Sequence, residues 1–420
     1  MQNIEVYSNT TLVGFLGILD RQSYSFSYGK SWLDSNQSYA IDPLLPLENR
    51  TFYGKHLWGA FCDISPDRWG KVIQMRSAGK ALQEYEYMLG VSDYFRIGAL
   101  RLRHNATFIS ECKEVPKLLH LSQIQDSALR IENDEYTQND LKILLAPSSS
   151  LGGARPKASV QDNHILYIAK FPSINDTHSV ILWEATMLKL SKIAKINTAD
   201  FKLVNVNQKN ILLIKRFDRN FANNERIPFM SAMTLLGVNE RDEANIKSYV
   251  DIAKKLDSNN KEELFRRMVF NTLFGNIDDH LRNHALLYDM TKKRWNLSPA
   301  YDLNPMPYEY AKQNHALAFK DCIITPSIEL CKNIAKDFEV QDCKFYEILQ
   351  DCINAGMQYK EIASSFGIKA NEIKLFTNNF EHRDIVLAKA MLEKEQLNRT
   401  SILPKNTQPP QTHKPKSRKR

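Results

Sequence analysis

Apolar and polar residues alternate with a two-residue period over Ile4 to Tyr7, Thr11 to Ile18 and Tyr24 to Tyr28, with turn residues between the runs. That period predicts three half-buried strands. Trp32, Phe52, Trp58, Phe61, Trp69 and Tyr85 follow as anchors for a small α/β module over residues 1–110. A polar stretch from Gln123 to Asp140 leads into Leu141 to Leu145 and then Pro147-Ser-Ser-Ser-Leu-Gly-Gly153, which by composition alone reads as a flexible linker. The run His164 to Pro172 returns to strand periodicity and puts Leu166, Ile168 and Lys170 on one face. A helical stripe, Ile181, Glu184 and Leu188, comes next, beside a parallel stripe of Val180, Trp183, Met187, Leu190 and Ala194. Phe201 to Val206 and Ile211 to Lys215 form a hairpin around Gln208-Lys-Asn210.

From about residue 226 to 395 the period is mostly helical. Phe265, Met268, Val269 and Leu273 line one helix face that runs into Gly275-Asn276. His284 to Asp289 and Trp295 to Leu297 read as two short strands around the polar turn Met290 to Arg294. Residues 401–420, with four prolines and few apolar residues, are expected to be disordered.

Composition changes this picture little. With 420 residues, 43% hydrophobic and 25% charged, the chain has the makeup of a globular protein of two or three domains. The formal charge of +8 comes mainly from six uncompensated Lys and Arg residues in the last twenty, so the body carries about +2. Six cysteines show neither a C-x-x-C pair nor zinc spacing with histidine, and are expected to be reduced thiols in a cytoplasmic protein. The apolar run Leu12 to Leu19 is short, lacks a basic flank and is followed by Asp20, which supports neither a signal peptide nor a membrane span.

The candidate chemistry lies in charged residues on apolar faces. Lys170 on its strand and Glu184 in its helical stripe each want a counter-charge, and they are natural partners. A strand Lys paired with a helix Glu positions the α and β phosphates in kinases; a structural ion pair is the plainer alternative. Asp278, with Asn283 five residues on and Asp302 beyond the hairpin, fills in order the places of a substrate-orienting Asp and two magnesium ligands in a phosphotransferase. Taken alone, Asp278 and Asp279 could be turn caps. Arg216-Phe-Asp-Arg219 lies where a kinase strand passes between lobes, which makes Phe217 a candidate adenine lid.

The series Ser150-Leu-Gly-Gly-Ala-Arg-Pro-Lys157, Lys170-Phe-Pro, Arg216-Phe-Asp-Arg219, Asp278-x-His280-x-x-Asn283 and Tyr301-Asp302 resembles the HipA family of bacterial toxin kinases. Asp63-Ile-Ser-Pro-Asp67-Arg-Trp-Gly70 extends the resemblance to the N-terminal part. The resemblance implies an α+β, two-lobed protein-kinase-like fold with a small α/β N-terminal subdomain and a mostly helical C-terminal lobe. It divides the chain into residues 1–110, an ATP-binding region at 111–225, a helical lobe with the catalytic loop at 226–400, and a basic tail.

It further implies ATP and Mg2+ as cofactors and a serine or threonine of a protein as acceptor, typically in translation machinery such as an aminoacyl-tRNA synthetase. A small DNA-binding antitoxin of the HipB-like kind would be the partner, with DNA reached through it. Residue by residue, Asp278 is catalytic, Asn283 and Asp302 are metal ligands, and Lys170, paired with Glu184, binds phosphate. Leu151, Gly152, Gly153, Ala154, Arg155 and Lys157 belong to the phosphate loop, and Phe217 and His280 complete the nucleotide site. Ser150 matches the inhibitory autophosphorylation site, with Ser148 and Ser149 as alternatives. The chain departs from protein kinases in lacking G-x-G-x-x-G and Ala-Pro-Glu, and carries Tyr-Asp-Leu in place of Asp-Phe-Gly. A small-molecule phosphotransferase shares the Asp, Asn and later Asp, and a partner-binding pseudokinase acting as co-repressor is the non-enzymatic alternative.

Overall fold

The computed structural model describes residues 2–20, 22–111, 115–146, 153, 155–238, 247–311 and 314–402. Strands β1 (Gln2–Ser8), β2 (Thr11–Ile18), β3 (Tyr24–Tyr28), β4 (Thr51–Gly54), β5 (Leu100–His104) and β6 (Thr107–Phe108) form an antiparallel sheet in the order β4-β3-β2-β1-β5-β6. Its alternating apolar residues, Ile4 and Val6, Tyr24, Phe26 and Tyr28, are buried together with Trp32, Trp58 and Phe61. The expected N-terminal strands therefore form where the two-residue period placed them. Trp69 instead packs in a different core, beneath the second sheet.

That second sheet is also antiparallel. Strands β7 (Lys157–Asp162), β8 (Ile165–Lys170), β9 (Phe201–Val206) and β10 (Lys209–Lys215) lie in the order β7-β8-β10-β9. The polar stretch before it turns out to be mostly helical, over Leu121–Glu132 and Gln138–Leu145. Leu121, Ile124, Ala128 and Ile131 recur at helical spacing and bury against Val160, Ala169 and Leu213. Thr137 and Asp140 cap the second helix reciprocally, which explains two of the polar residues that masked the pattern.

Helix Val180–Ile193 crosses from this sheet to the larger core, where nearly all its residues are buried. In the largest core, spanning residues 181 to 392, helix Asp342–Gly356 packs against this helix and also against Ser258–Phe274 and Arg383–Ile402. Strands β11 (Arg219–Asn220) and β12 (Glu225–Arg226) form a small two-stranded ribbon. Strands β13 (Phe229–Ser231), β14 (Ala285–Asp289) and β15 (Arg294–Leu297) form a three-stranded sheet, whose last two strands are the expected hairpin. The architecture is the two-lobed α+β arrangement with an added N-terminal sheet. No described helix is long and apolar enough to cross a membrane.

Candidate active site

Helix Ser258–Phe274 sets the depth of the loop that follows it. Asp257 caps its start, and Gly275, at φ 73°, ends it in the left-handed region that glycine enters without a Cβ clash. The chain then turns through Asp278 and Asp279, which have opposite fates. Asp279 is buried and accepts from Asn271 Nδ2 at 3.0 Å, from His284 Nε2 at 2.9 Å and from the Tyr249 hydroxyl. Burial pushes its carboxyl up, but His284 and these donors hold it below the usual range. Asp279 thereby pins the loop and leaves Asp278 exposed at its tip.

Asp278, unlike Asp279, has a raised proton affinity. The packed surroundings raise its carboxyl, with His280 opposing and Asp302 and Asp279 adding to the rise. Asn283 is buried and turns its Nδ2 back to the Asp278 carbonyl at 3.2 Å. Tyr301 donates its hydroxyl to the Arg282 carbonyl at 2.6 Å, which ties the loop of Asp278 to the segment carrying Asp302.

Lys170, at the end of β8, donates to Glu184 Oε1 at 2.6 Å and to Asp302 Oδ1 at 2.7 Å. Burial opposes charge on this ammonium, yet the two carboxylates, Asp302 foremost, raise its pKa. Asp302 is likewise pushed up by burial, and Lys170, then Lys157, bring it well below the usual carboxylate range. At φ 58° Asp302 occupies the left-handed region, and Asn304 Nδ2 donates to the same Oδ1 at 2.9 Å. The expected Lys170–Glu184 pair is formed, and Asp302 joins it.

Beside this cluster lies a cleft with apolar walls at Ile97, Ile168, Ile214, Phe217, Phe229 and Tyr301 and with Lys170, Asp302 and Arg282 at its polar end. Phe217 and Tyr301 pack with ring centroids 5.4 Å apart. His280 lies near enough to Asp278 and Asp302 for its charge to affect both. Arg155 pairs with Asp176 at a turn, and Lys157 is buried against Asp67 of the N-terminal module, 3.2 Å away. Gly153, four residues before Lys157, lies close to its ammonium. Ser148, Ser149, Ser150, Leu151, Gly152 and Ala154 lie outside the described residues, as does the chain after Ile402.

Several residues in motifs visible in the sequence make long-range contacts that the sequence does not announce. Asp218, between Arg216 and Arg219, accepts from Arg216 Nε at 2.7 Å and Nη2 at 2.6 Å, and also from Gly98 N at 2.7 Å. The guanidinium groups then reach the carbonyls of Phe95 and Arg96 in the N-terminal module. Asp63 crosses the same boundary, accepting from Ser231 N and Thr234 Oγ1, each at 2.8 Å. Asp63 and Asp67 both lie in a motif noticed in the sequence without an assigned role.

No group of three or more His, Cys, Asp or Glu suited to a metal forms among the described residues. The donors present, the Asp302 carboxylate and the Asn283 amide near Asp278, are hard oxygens. Such a set suits magnesium, which takes most of its octahedron from phosphates and water.

Residues 4–101 match the HipA N-terminal domain and residues 149–359 the HipA-like C-terminal domain. A serine/threonine-protein kinase toxin HipA of Shewanella oneidensis is 21% identical over 352 residues, covering 76% of this chain and 78% of that protein. A putative kinase, Y4dM, of Sinorhizobium fredii is 47% identical over 58 residues, 14% of each chain. Among solved structures, the complex of Shewanella oneidensis HipA, HipB and operator DNA contains a similar fold. It matches with a TM-score of 0.67 and 16% identity, over 92% of this chain and 97% of that one.

Proposed function

We propose, from the premise that this chain belongs to the HipA family, that it is an ATP- and Mg2+-dependent serine/threonine protein kinase acting as the toxin of a toxin–antitoxin pair. The observation that carries this reading is Lys170, held between Glu184 and Asp302 in the cleft that the Asp278 loop borders. An ammonium fixed at that point meets phosphate oxygens without reorganising. Bound ATP with magnesium would supply the transferable phosphoryl group and neutralise its charge.

Each residue then has one task. Asp278 orients the acceptor hydroxyl and takes its proton as the new O–P bond forms and ADP leaves. Its raised carboxyl makes it a better base than an ordinary Asp. Asn283 and Asp302 hold the metal, Lys170 holds phosphate, and Phe217 with Tyr301 and Ile97 sandwiches adenine in the apolar part of the cleft. Residues 1–110 form the N-terminal subdomain, 111–225 the smaller lobe and 226–400 the larger.

Ser150, or Ser148 or Ser149, is the inhibitory autophosphorylation site in this reading. Added phosphate brings about −1.5 to −2 charge at neutral pH and competes for the donors that cradle ATP. A HipB-like DNA-binding antitoxin is the proposed partner, because the structural neighbour is a complex of HipA with HipB and operator DNA. The acceptor is a protein of the translation machinery, and the compartment the cytoplasm.

The test is transfer of labelled γ-phosphate by the full chain in the presence of magnesium. Asp278→Ala should lower transfer about 10³-fold while ATP binding stays within a few-fold of the parent. Undiminished transfer by that variant, or no nucleotide binding by the parent, overturns the assignment.

A further inference from the structure

The site contains a second lysine whose placement calls for an explanation. Lys157 opens β7 and stands directly opposite Lys170 of β8 in the antiparallel register. Cross-strand partners share a face of the sheet, and like charges so placed repel. Both side chains are buried, at 4% and 12% exposure. A sheet needing only stability would carry apolar residues there, as it does at the next pair, Ala158 and Ala169.

The two ammonium groups are held apart by different carboxylates. Lys170 has Glu184 and Asp302. Lys157 has Asp67, ninety residues earlier and on another sheet's subdomain, at 3.2 Å from Nζ to Oδ2. The carboxylate of Asp67 is divided between two roles. Its Oδ1 accepts from Gly70 N at 2.7 Å and caps helix Arg68–Ala78, while its Oδ2 faces the lysine. The chain at Gly153 also passes very close to the ammonium. A Cβ added at Gly153, φ 89°, would come 2.9 Å from Lys157 Nζ. The Lys157 charge also lowers the proton affinity of Asp302 and Glu184, which places it beside the phosphate-binding cluster.

We propose that Asp67 is a positioning residue for the nucleotide site, fixing the Lys157 ammonium beside Lys170 so that two cations from adjacent strands face the triphosphate. The N-terminal subdomain thus completes the phosphate site of the kinase lobes. This inference rests on the kinase reading above. Removing the Asp67 charge takes away the carboxylate that faces Lys157, so the ammonium turns away or loses its fixed position beside Lys170. Either outcome takes positive charge from the phosphates.

Asp67→Asn is the informative variant, because Asn caps helices as well as Asp and leaves the Gly70 contact available. Three measurements on the full chain decide the matter. In Asp67→Asn, Lys157 should react with an acylating reagent about tenfold faster than in the parent, read by peptide mass spectrometry without nucleotide. The KM and directly measured Kd for Mg·ATP should each rise about tenfold, with kcat changed less than about threefold. Lys157→Met should show the same loss, and the double variant should be no worse than either single one.

Additive losses, or unchanged affinity and unchanged Lys157 reactivity in a folded Asp67→Asn protein, overturn the proposal. A lowered thermal midpoint that tracks the affinity loss also overturns it, since the effect would then be structural. If the parent binds no nucleotide, the kinase reading fails instead, and the labelling experiment alone still reports whether Asp67 holds Lys157.

Discussion

Where β10 runs into β11 against residues 95–98, a junction termed the hinge, Asp218 sits between two guanidinium groups, those of Arg216 and Arg219, whereas in the cleft Lys170 sits between two carboxylates, those of Glu184 and Asp302. The two buried triads have mirrored charge. Their surroundings differ more than their composition. The hinge triad is at most 6% exposed, and its spare N–H donors end on the carbonyls of Phe95 and Arg96. Its net positive charge is absorbed by backbone oxygen. The cleft triad carries a net negative charge, and Asp302 keeps 25% of its side chain open.

Arg suits the first role and Lys the second. A guanidinium forms a rigid fork that stays charged, while an ammonium is a point charge on a flexible stem that can share itself among partners. The hinge triad is closed off from solvent, whereas the cleft triad leaves one carboxylate partly open.

The comparison breaks first on stability. Asp218→Ala strands two buried guanidinium groups and should cost about 4 kcal/mol in chemical denaturation. A loss below about 1 kcal/mol would make the hinge triad no more structural than a surface ion pair. Lys170→Met should behave in the opposite way, with phosphate transfer down about a hundredfold but stability changed by under about 2 kcal/mol. The reason is that Glu184, whose carboxyl burial already pushes up, can take a proton when its lysine is gone. Equal destabilisation by both variants would erase the distinction between the triads.

A smaller effect sharpens the picture by locating acid sensitivity outside the hinge. Asp218 is held well below the carboxylate range and Arg219 is lowered only to about 9, so these charges persist between pH 5 and 8. His315 differs. Burial lowers it to about 4, with Asp279 opposing, and its ring packs on Phe319 at 5.1 Å. The neutral ring contributes stability that is full above about pH 6.5 and is lost as pH falls through about 4, on the order of 3 kcal/mol in all. His315→Gln should flatten that part of the stability profile. A variant profile as steep as the parent's places the acid-sensitive group elsewhere.

What the sequence made legible follows the same division. Lys170 and Glu184 could be read because each interrupts an apolar period, and the period fixes the face it occupies. The helix ending at Gly275 and the hairpin between Asn283 and Asp302 were readable for similar reasons, since local pattern and turn chemistry determine both. That Asp302 would share a cleft with Lys170 followed from the kinase-like order of the motifs and from no local pattern, since 132 residues separate the two. The hinge contacts to residues 95–98 and the Asp67–Lys157 pair left no trace of that kind. Each joins segments about a hundred residues apart through carboxylates that look like ordinary turn or cap residues in their own neighbourhoods. The helices at 121–145 were hidden by their own polar faces. There Ser127, Arg130, Thr137 and Asp140 bond to one another while the apolar stripe beneath them does the packing.

The anchoring of Arg216 and Arg219 on the carbonyls of residues 95 and 96 bears on how such a chain can change over generations. A gene shortened to the lobes alone would leave these guanidinium groups facing water where carbonyls had been, and would lose the cap that aims Lys157. Loss of the N-terminal part is therefore penalised twice, once in folding and, on the reading proposed for Asp67, once in ligand affinity. The N-terminal sheet and the rest of the chain are thus tied by charge at more than one point.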